Sequence, residues 1–119
     1  AETRDPPRRR LMDILCNYAG YRKCVPILVF DAYRVKGAGR EQETWHNLHV
    51  IYTREAETAD MFIERATHEL AKNHRVRVVS SDGAEQIIIL GNGALRVSAR
   101  AFEREVRAVE AEIREFLDQ

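Results

Sequence analysis

Cysteine is scarce in this chain. Cys16 and Cys24 are the only two among 119 residues, and they fit neither a metal-type pair nor a dense disulfide framework. Both read as small buried hydrophobes rather than reactive thiols. A surplus of charge is lacking too: nineteen Lys and Arg balance nineteen Asp and Glu. That excludes the global basic field of a strongly cationic nucleic-acid binder and leaves any attraction to RNA or DNA local. No apolar run is long enough to span a membrane, and no signal peptide, internal repeat, low-complexity tract or linker is visible. The four histidines lack ligand spacing, and no Ser-His-Asp or Cys-His arrangement suggests a side-chain nucleophile. Gly37-Ala38-Gly39 and Gly91-Asn92-Gly93 lack the strand-to-helix setting of a nucleotide-binding loop. The expectation is one reduced, cytoplasmic α/β domain with no membrane partner, able to bury about two-thirds of its unfolded surface.

What is present is an alternation of short apolar runs and helical periodicities. Asp5-Pro6-Pro7 opens a helix that carries Leu11, Ile14, Leu15 and Tyr18 and is expected to end near Gly20. Val25 to Phe30 is a continuous apolar run suited to a strand buried on both faces. Arg34 to Asn47 lacks either period and reads as a mobile basic loop. His49 to Thr53 resumes strand character, and Thr58 caps a helix expected to bury Met61, Phe62, Ile63, Ala66 and Leu70. Arg75 to Ser80 is a strand, Ser81-Asp82-Gly83 a turn, and Glu85 to Leu90 is expected as a short helix. After a turn at Gly91-Asn92-Gly93 and a brief extended piece, Ser98 caps a long helix with Phe102, Val106, Val109, Ile113 and Phe116 along one face.

Three aspartates stand where this pattern switches. Asp31 ends the first apolar run, Asp60 falls in a helix's first turn, and Asp82 follows the Arg75–Ser80 strand. In a parallel α/β sheet such places converge on the crevice outside the carboxyl ends of the strands. Carboxylates gathered there repel one another and invite a hard divalent cation, Mg2+ or Mn2+. Taken singly, Asp60 and Asp82 are also ordinary helix-start residues, whereas an acid ending a buried strand needs a partner or an ion. Glu57 and Glu85 are secondary candidates as metal ligands or water-positioning groups. Arg34, Lys36 and Arg40 occupy the loop directly after Asp31 and Arg54 follows another strand, so all four suit a phosphate backbone, while Tyr33 and Trp45 offer either a stacking surface for a base or plain packing against the sheet.

Phe30-Asp31-Ala32-Tyr33-Arg34-Val35-Lys36-Gly37, Glu57-Thr58-Ala59-Asp60, Ser81-Asp82 with Glu85-Gln86, and Gly91-Asn92-Gly93-Ala94-Leu95-Arg96 with Ser98-Ala99-Arg100 occur in the order of one known family. From about Tyr18 to Val106 the chain resembles the YacP-like NYN domain. That resemblance implies a PIN-like three-layer fold with a mainly parallel sheet flanked by helices. It also implies an endoribonuclease using Mg2+ or Mn2+ held by Asp31, Asp60 and Asp82, cleaving single-stranded or messenger RNA in association with the ribosome. Arg96 and Arg100 join the RNA-binding candidates through their motif.

One departure matters. Family members open with an apolar strand ending in Asp-Gly-Tyr-Asn, a strand central to the PIN-like sheet, and that motif is absent from these residues. The chain therefore resembles an N-terminally truncated fragment of a longer protein, with weak or absent catalysis and two strands left with open edges. The expected consequence is a homodimer or an altered sheet. The competing class is a noncatalytic RNA-binding, ribosome-binding or dimerisation module on the same scaffold.

Overall fold

The computed structural model describes residues 6–31, 42–54, 57–80, 85–91 and 96–119. Its elements are α1 (Pro6–Arg22), β1 (Val25–Phe30), β2 (Gln42–Trp45), β3 (Leu48–Tyr52), α2 (Ala59–Leu70), β4 (Val76–Ser80), β5 (Glu85–Leu90), β6 (Arg96–Ser98) and α3 (Ala99–Leu117). The strands form one sheet in the order β2-β3-β1-β5-β4-β6.

The sheet is mixed, which corrects the expectation of a mainly parallel one. β1 runs parallel to β3, and β4 parallel to β6, but β5 lies antiparallel between β1 and β4, and β2 antiparallel along β3. β1 and β4 thus point the same way and are paired on both sides, so neither presents the open edge that the sequence implies. The strand between them is the segment expected as a short helix. Its Ile87-Ile88-Ile89 run explains why: the three are 6%, 0% and 0% exposed, an all-round burial that suits a central strand with both faces covered.

Helices cover the two faces unequally. On one face α1 and α3 press Met12, Leu15, Tyr18, Phe102, Val106 and Val109 against Leu28, Phe30, Val50, Ile87 and Ile89. On the other, α2 sets Ala59 and Ile63 against Val29, Val78 and Ile88. Full burial of each large aliphatic side chain is worth roughly 1.5–3 kcal/mol, so these two cores dominate the fold's stability. A polar pin crosses the larger one: Tyr18 Oη donates to Glu105 at 3.3 Å and Arg77 Nη1 donates to the same carboxylate at 2.9 Å, tying α1, β4 and α3 together.

Helix boundaries follow from local chemistry. The hydroxyls of Thr58 and Ser98 each accept the third backbone N–H onward, from Met61 and Ala101, at 3.1 Å, as expected of N-caps. α1 continues through Gly20 to Arg22, and Lys23 takes the left-handed conformation (φ 56°) that ends it. Two expected core residues are on the surface: Met61 is 55% exposed and Phe116 68%. Each lies near a helix end, where the periodicity runs past the sheet. Trp45, part of the expected loop, instead closes β2; its ring lies under the Arg9 guanidinium at 4.8 Å and its indole N–H donates to Asp13 at 3.2 Å. The half-buried ring packs against the larger core. Both cysteines are free, and burial pushes the half-buried Cys16 thiol up, away from the reactive thiolate range.

Candidate functional site

One end of the sheet collects the chemistry. β1, β3, β4 and β6 all finish there, and the antiparallel β5 begins there, because Phe30 pairs with Tyr52 and Glu85 while Ser80 pairs with Ser98. The capped N-termini of α2 and α3 lie at the same end, directly after β3's exit and β6. An antiparallel strand at the centre does not disperse such an edge; it adds the beginning of a strand to the ends of its neighbours.

Asp31 is half-buried and directly follows Phe30, whose carbonyl accepts the Thr53 N–H at 3.0 Å, locking the ends of β1 and β3 together. Asp60 stands in the first turn of α2, where free N–H groups and the helix dipole favour a negative charge. The Gln86 side-chain amide, itself only 7% exposed, donates to Asp60 Oδ1 across the gap between β5 and α2. Asp82, Arg34, Lys36 and Arg40 lie outside the described residues, as does Tyr33. Asp82 falls between Ser80 and Glu85 in sequence, two residues that border this edge.

Glu57 and Glu85, the secondary acids, lie in different surroundings. Glu57 pairs with Arg65 of α2 at 2.9 Å. Glu85 neighbours Gln86 and therefore points to the opposite face of the sheet. There it lines an apolar cavity of about 460 Å3 under α1 and α3, with Arg100 and Glu103 near it. Among the described residues, no three His, Cys, Asp or Glu side chains are grouped closely enough to hold a metal ion. The donors that are present, Asp31 and Asp60, are hard carboxylates of the kind Mg2+ and Mn2+ take.

The basic candidates divide in the same way. Arg54 is exposed just past β3 and lines a crevice of about 540 Å3 with Thr53, Glu57, Phe62 and Arg65, beside the α2 N-terminus. Arg100 is exposed in the first turn of α3. Arg96 is engaged with Ser80 Oγ at 3.4 Å and with Glu64 of α2 at 3.7 Å. Residue-by-residue reading missed Gln86 and Arg65. Gln86 had one signal, a polar residue abutting an isoleucine run, but the assignment of that run to a helix hid which way it points.

No helix among the described residues is long and apolar enough to cross a membrane. A protein of Bacillus subtilis strain 168, described as uncharacterized protein YacP, is 40% identical over 114 residues, 95% of this chain and 66% of that protein. The crystal structure of Rae1 (YacP) from Bacillus subtilis matches with a TM-score of 0.70 and 34% identity, covering 91% of this chain and 62% of that one. The chain thus spans less than two-thirds of the length of these relatives. The sequence model of the YacP-like NYN domain matches residues 2–119. A fold shared with that solved structure and a family match over nearly every residue lead to one conclusion: the chain belongs to the YacP-like NYN domain family.

Proposed function

We propose that this chain is the nuclease domain of a metal-dependent, PIN-like endoribonuclease acting on single-stranded or messenger RNA in association with the ribosome. The observation that carries the reading is the sheet edge at which β1 ends just before Asp31, β5 begins and Gln86 donates to Asp60, with Arg54 and Arg100 exposed at its borders. Family membership supports the same chemistry.

In this reading Asp31, Asp60 and Asp82 hold Mg2+ or Mn2+, which when bound supplies Lewis-acid polarisation of the phosphate and a more acidic water. The chain's own residues do the rest. Arg54 and Arg100 attract the RNA backbone, with Arg34, Lys36 and Arg40 contributing from the segment after Asp31, and a salt-sensitive loss of binding is expected when they are neutralised. The Gln86 amide, donating to Asp60 Oδ1, holds that carboxylate at the edge.

The test is cleavage of a labelled single-stranded RNA with Mn2+ by the chain and by Asp60→Asn, with melting curves as the control for folding. The substitution keeps the side chain's shape and forfeits a dipole interaction of at most about 1 kcal/mol. It is expected to lower cleavage by more than roughly a hundredfold, the upper end of what losing a mere partner of a ligand does. Unchanged metal-dependent cleavage would remove Asp60 from the site.

The second reading is a noncatalytic RNA-binding module, in which Arg54 and Arg100, exposed at the borders of the edge, hold the RNA without a metal. Mn2+ titration separates the two, since a binding module has no need to order a cation between its acids.

A further inference from the structure

Gln86 is the one amide side chain buried in this protein's described core, and its position is unusual for what surrounds it. It shares a strand with Ile87, Ile88 and Ile89, pairs across β1 with Val29, and is 7% exposed. A polar side chain in such a place must be hydrogen-bonded, because leaving its amide unsatisfied costs about 1–3 kcal/mol. Its amide nitrogen donates to Asp60 Oδ1. The donor is fixed by a strand at the centre of the sheet, and the acceptor is the exposed carboxylate in the first turn of α2.

From this geometry we propose that Gln86 is a positioning residue for Asp60: it holds one carboxylate oxygen at the protein wall and thereby turns the other toward the edge where a cation would bind. The inference rests on the metal-site reading of that edge. A carboxylate on an exposed first turn otherwise samples several rotamers, and a ligand that must be fixed on binding binds more weakly. Gln86 removes that freedom beforehand, as hydrogen-bonding partners of metal ligands generally do. β5 is suited to the task because its neighbours on both sides are strands, so the amide cannot drift with a loop.

The experiment uses Gln86→Met, which keeps the length of the side chain and deletes its amide, the donor to Asp60 included. Three readings are taken: Mn2+ affinity by electron paramagnetic resonance, the thermal midpoint, and the side-chain NH2 signals of Gln86 in 15N spectra of the metal-free protein. Gln86→Met is expected to weaken Mn2+ binding about tenfold while the midpoint stays near that of the parent. In the Asp60→Asn background the same substitution is expected to change Mn2+ affinity no further, since its effect passes through Asp60. In the parent, Asp60→Asn is expected to shift the Gln86 NH2 signals. Parent-like Mn2+ affinity in Gln86→Met, or an equal loss in both backgrounds, would overturn the positioning role while leaving the site itself standing. A parent chain that binds no Mn2+ would overturn the site and this inference together.

Discussion

The assignment of Glu85–Leu90 as a central strand makes a demand that a helix there could not meet. Consecutive residues on a helix are separated by 100°, so three successive isoleucines span about 200° of its surface, and a helix lying on the sheet leaves at least one of them facing outward. In the observed strand Ile87 and Ile89 face α1 and α3, while Ile88 faces Ala59 and Ile63 under α2, and all three are buried. Ile87→Ala, Ile88→Ala and Ile89→Ala should therefore each destabilise the protein, by about 2–5 kcal/mol. A change of 1 kcal/mol moves the midpoint of a domain this size by about 4 °C, so each variant should melt roughly 8–20 °C below the parent. Met61→Ala is the internal control: it has the same chemistry at a 55% exposed position and should cost less than about 0.5 kcal/mol. Circular dichroism melts, with urea titration for the free energies, measure both. If any one of the three isoleucine variants costs less than about 1 kcal/mol, the doubly covered strand is refuted and a one-sided element is indicated in its place.

Besides the Asp60 and Gln86 substitutions, two more outcomes follow. Burial, and then the negative charge of Glu105, holds the Tyr18 phenol above its usual ionisation range. The folded state therefore binds that proton more tightly than the unfolded one, and the stabilisation is complete below about pH 10 and is lost as pH rises through the raised value. Tyr18→Phe should flatten this alkaline fall, read as midpoint against pH. Thr58→Ala and Ser98→Ala each remove an N-cap acceptor and should cost about 1 kcal/mol apiece. Thr58→Ala should also raise the Mn2+ requirement more than Ser98→Ala does, because only the former loosens the turn that carries Asp60.

Where the sequence carried strong local signals, the elements lie where they are expected. Val25–Phe30 is a strand over its full expected span, and the Thr58 and Ser98 caps start α2 and α3. The misreadings have two physical sources. A six-residue apolar run has no decisive period, and Glu85–Leu90 became a helix in the reading because Ser81-Asp82-Gly83 resembles a helix start, although its length and three β-branched residues suit a strand. Gln42–Trp45 was missed because an edge strand can be polar; only Glu43 and Trp45 alternate toward the α1 side, with Tyr52 Oη donating to Glu43 at 3.0 Å. Of the candidate site, Asp31 and Asp60 were legible from their positions at element boundaries. The Glu57–Arg65 pair and the separation of Glu85 from Asp60 were not, since both depend on tertiary placement.

That separation shows how the direction of one strand decides the composition of the site. Had Glu85–Leu90 formed a helix, Glu85 and Gln86 would have stood about 100° apart rather than on opposite faces. As the first residue of an antiparallel strand, Glu85 is set against Phe30 and turned toward the cavity beneath α1 and α3, while the next residue turns to α2. Period-two alternation therefore sorts two adjacent side chains onto opposite faces and hands Asp60 an amide in place of a second carboxylate. The consequence is electrostatic as well as geometric: an amide donor brings no charge of its own, whereas a carboxylate at that position would be a second hard ligand beside Asp60. Gln86→Glu, which places that second carboxylate there without changing the shape, should accordingly strengthen Mn2+ binding, and an unchanged affinity would show that residue 86 does not face Asp60.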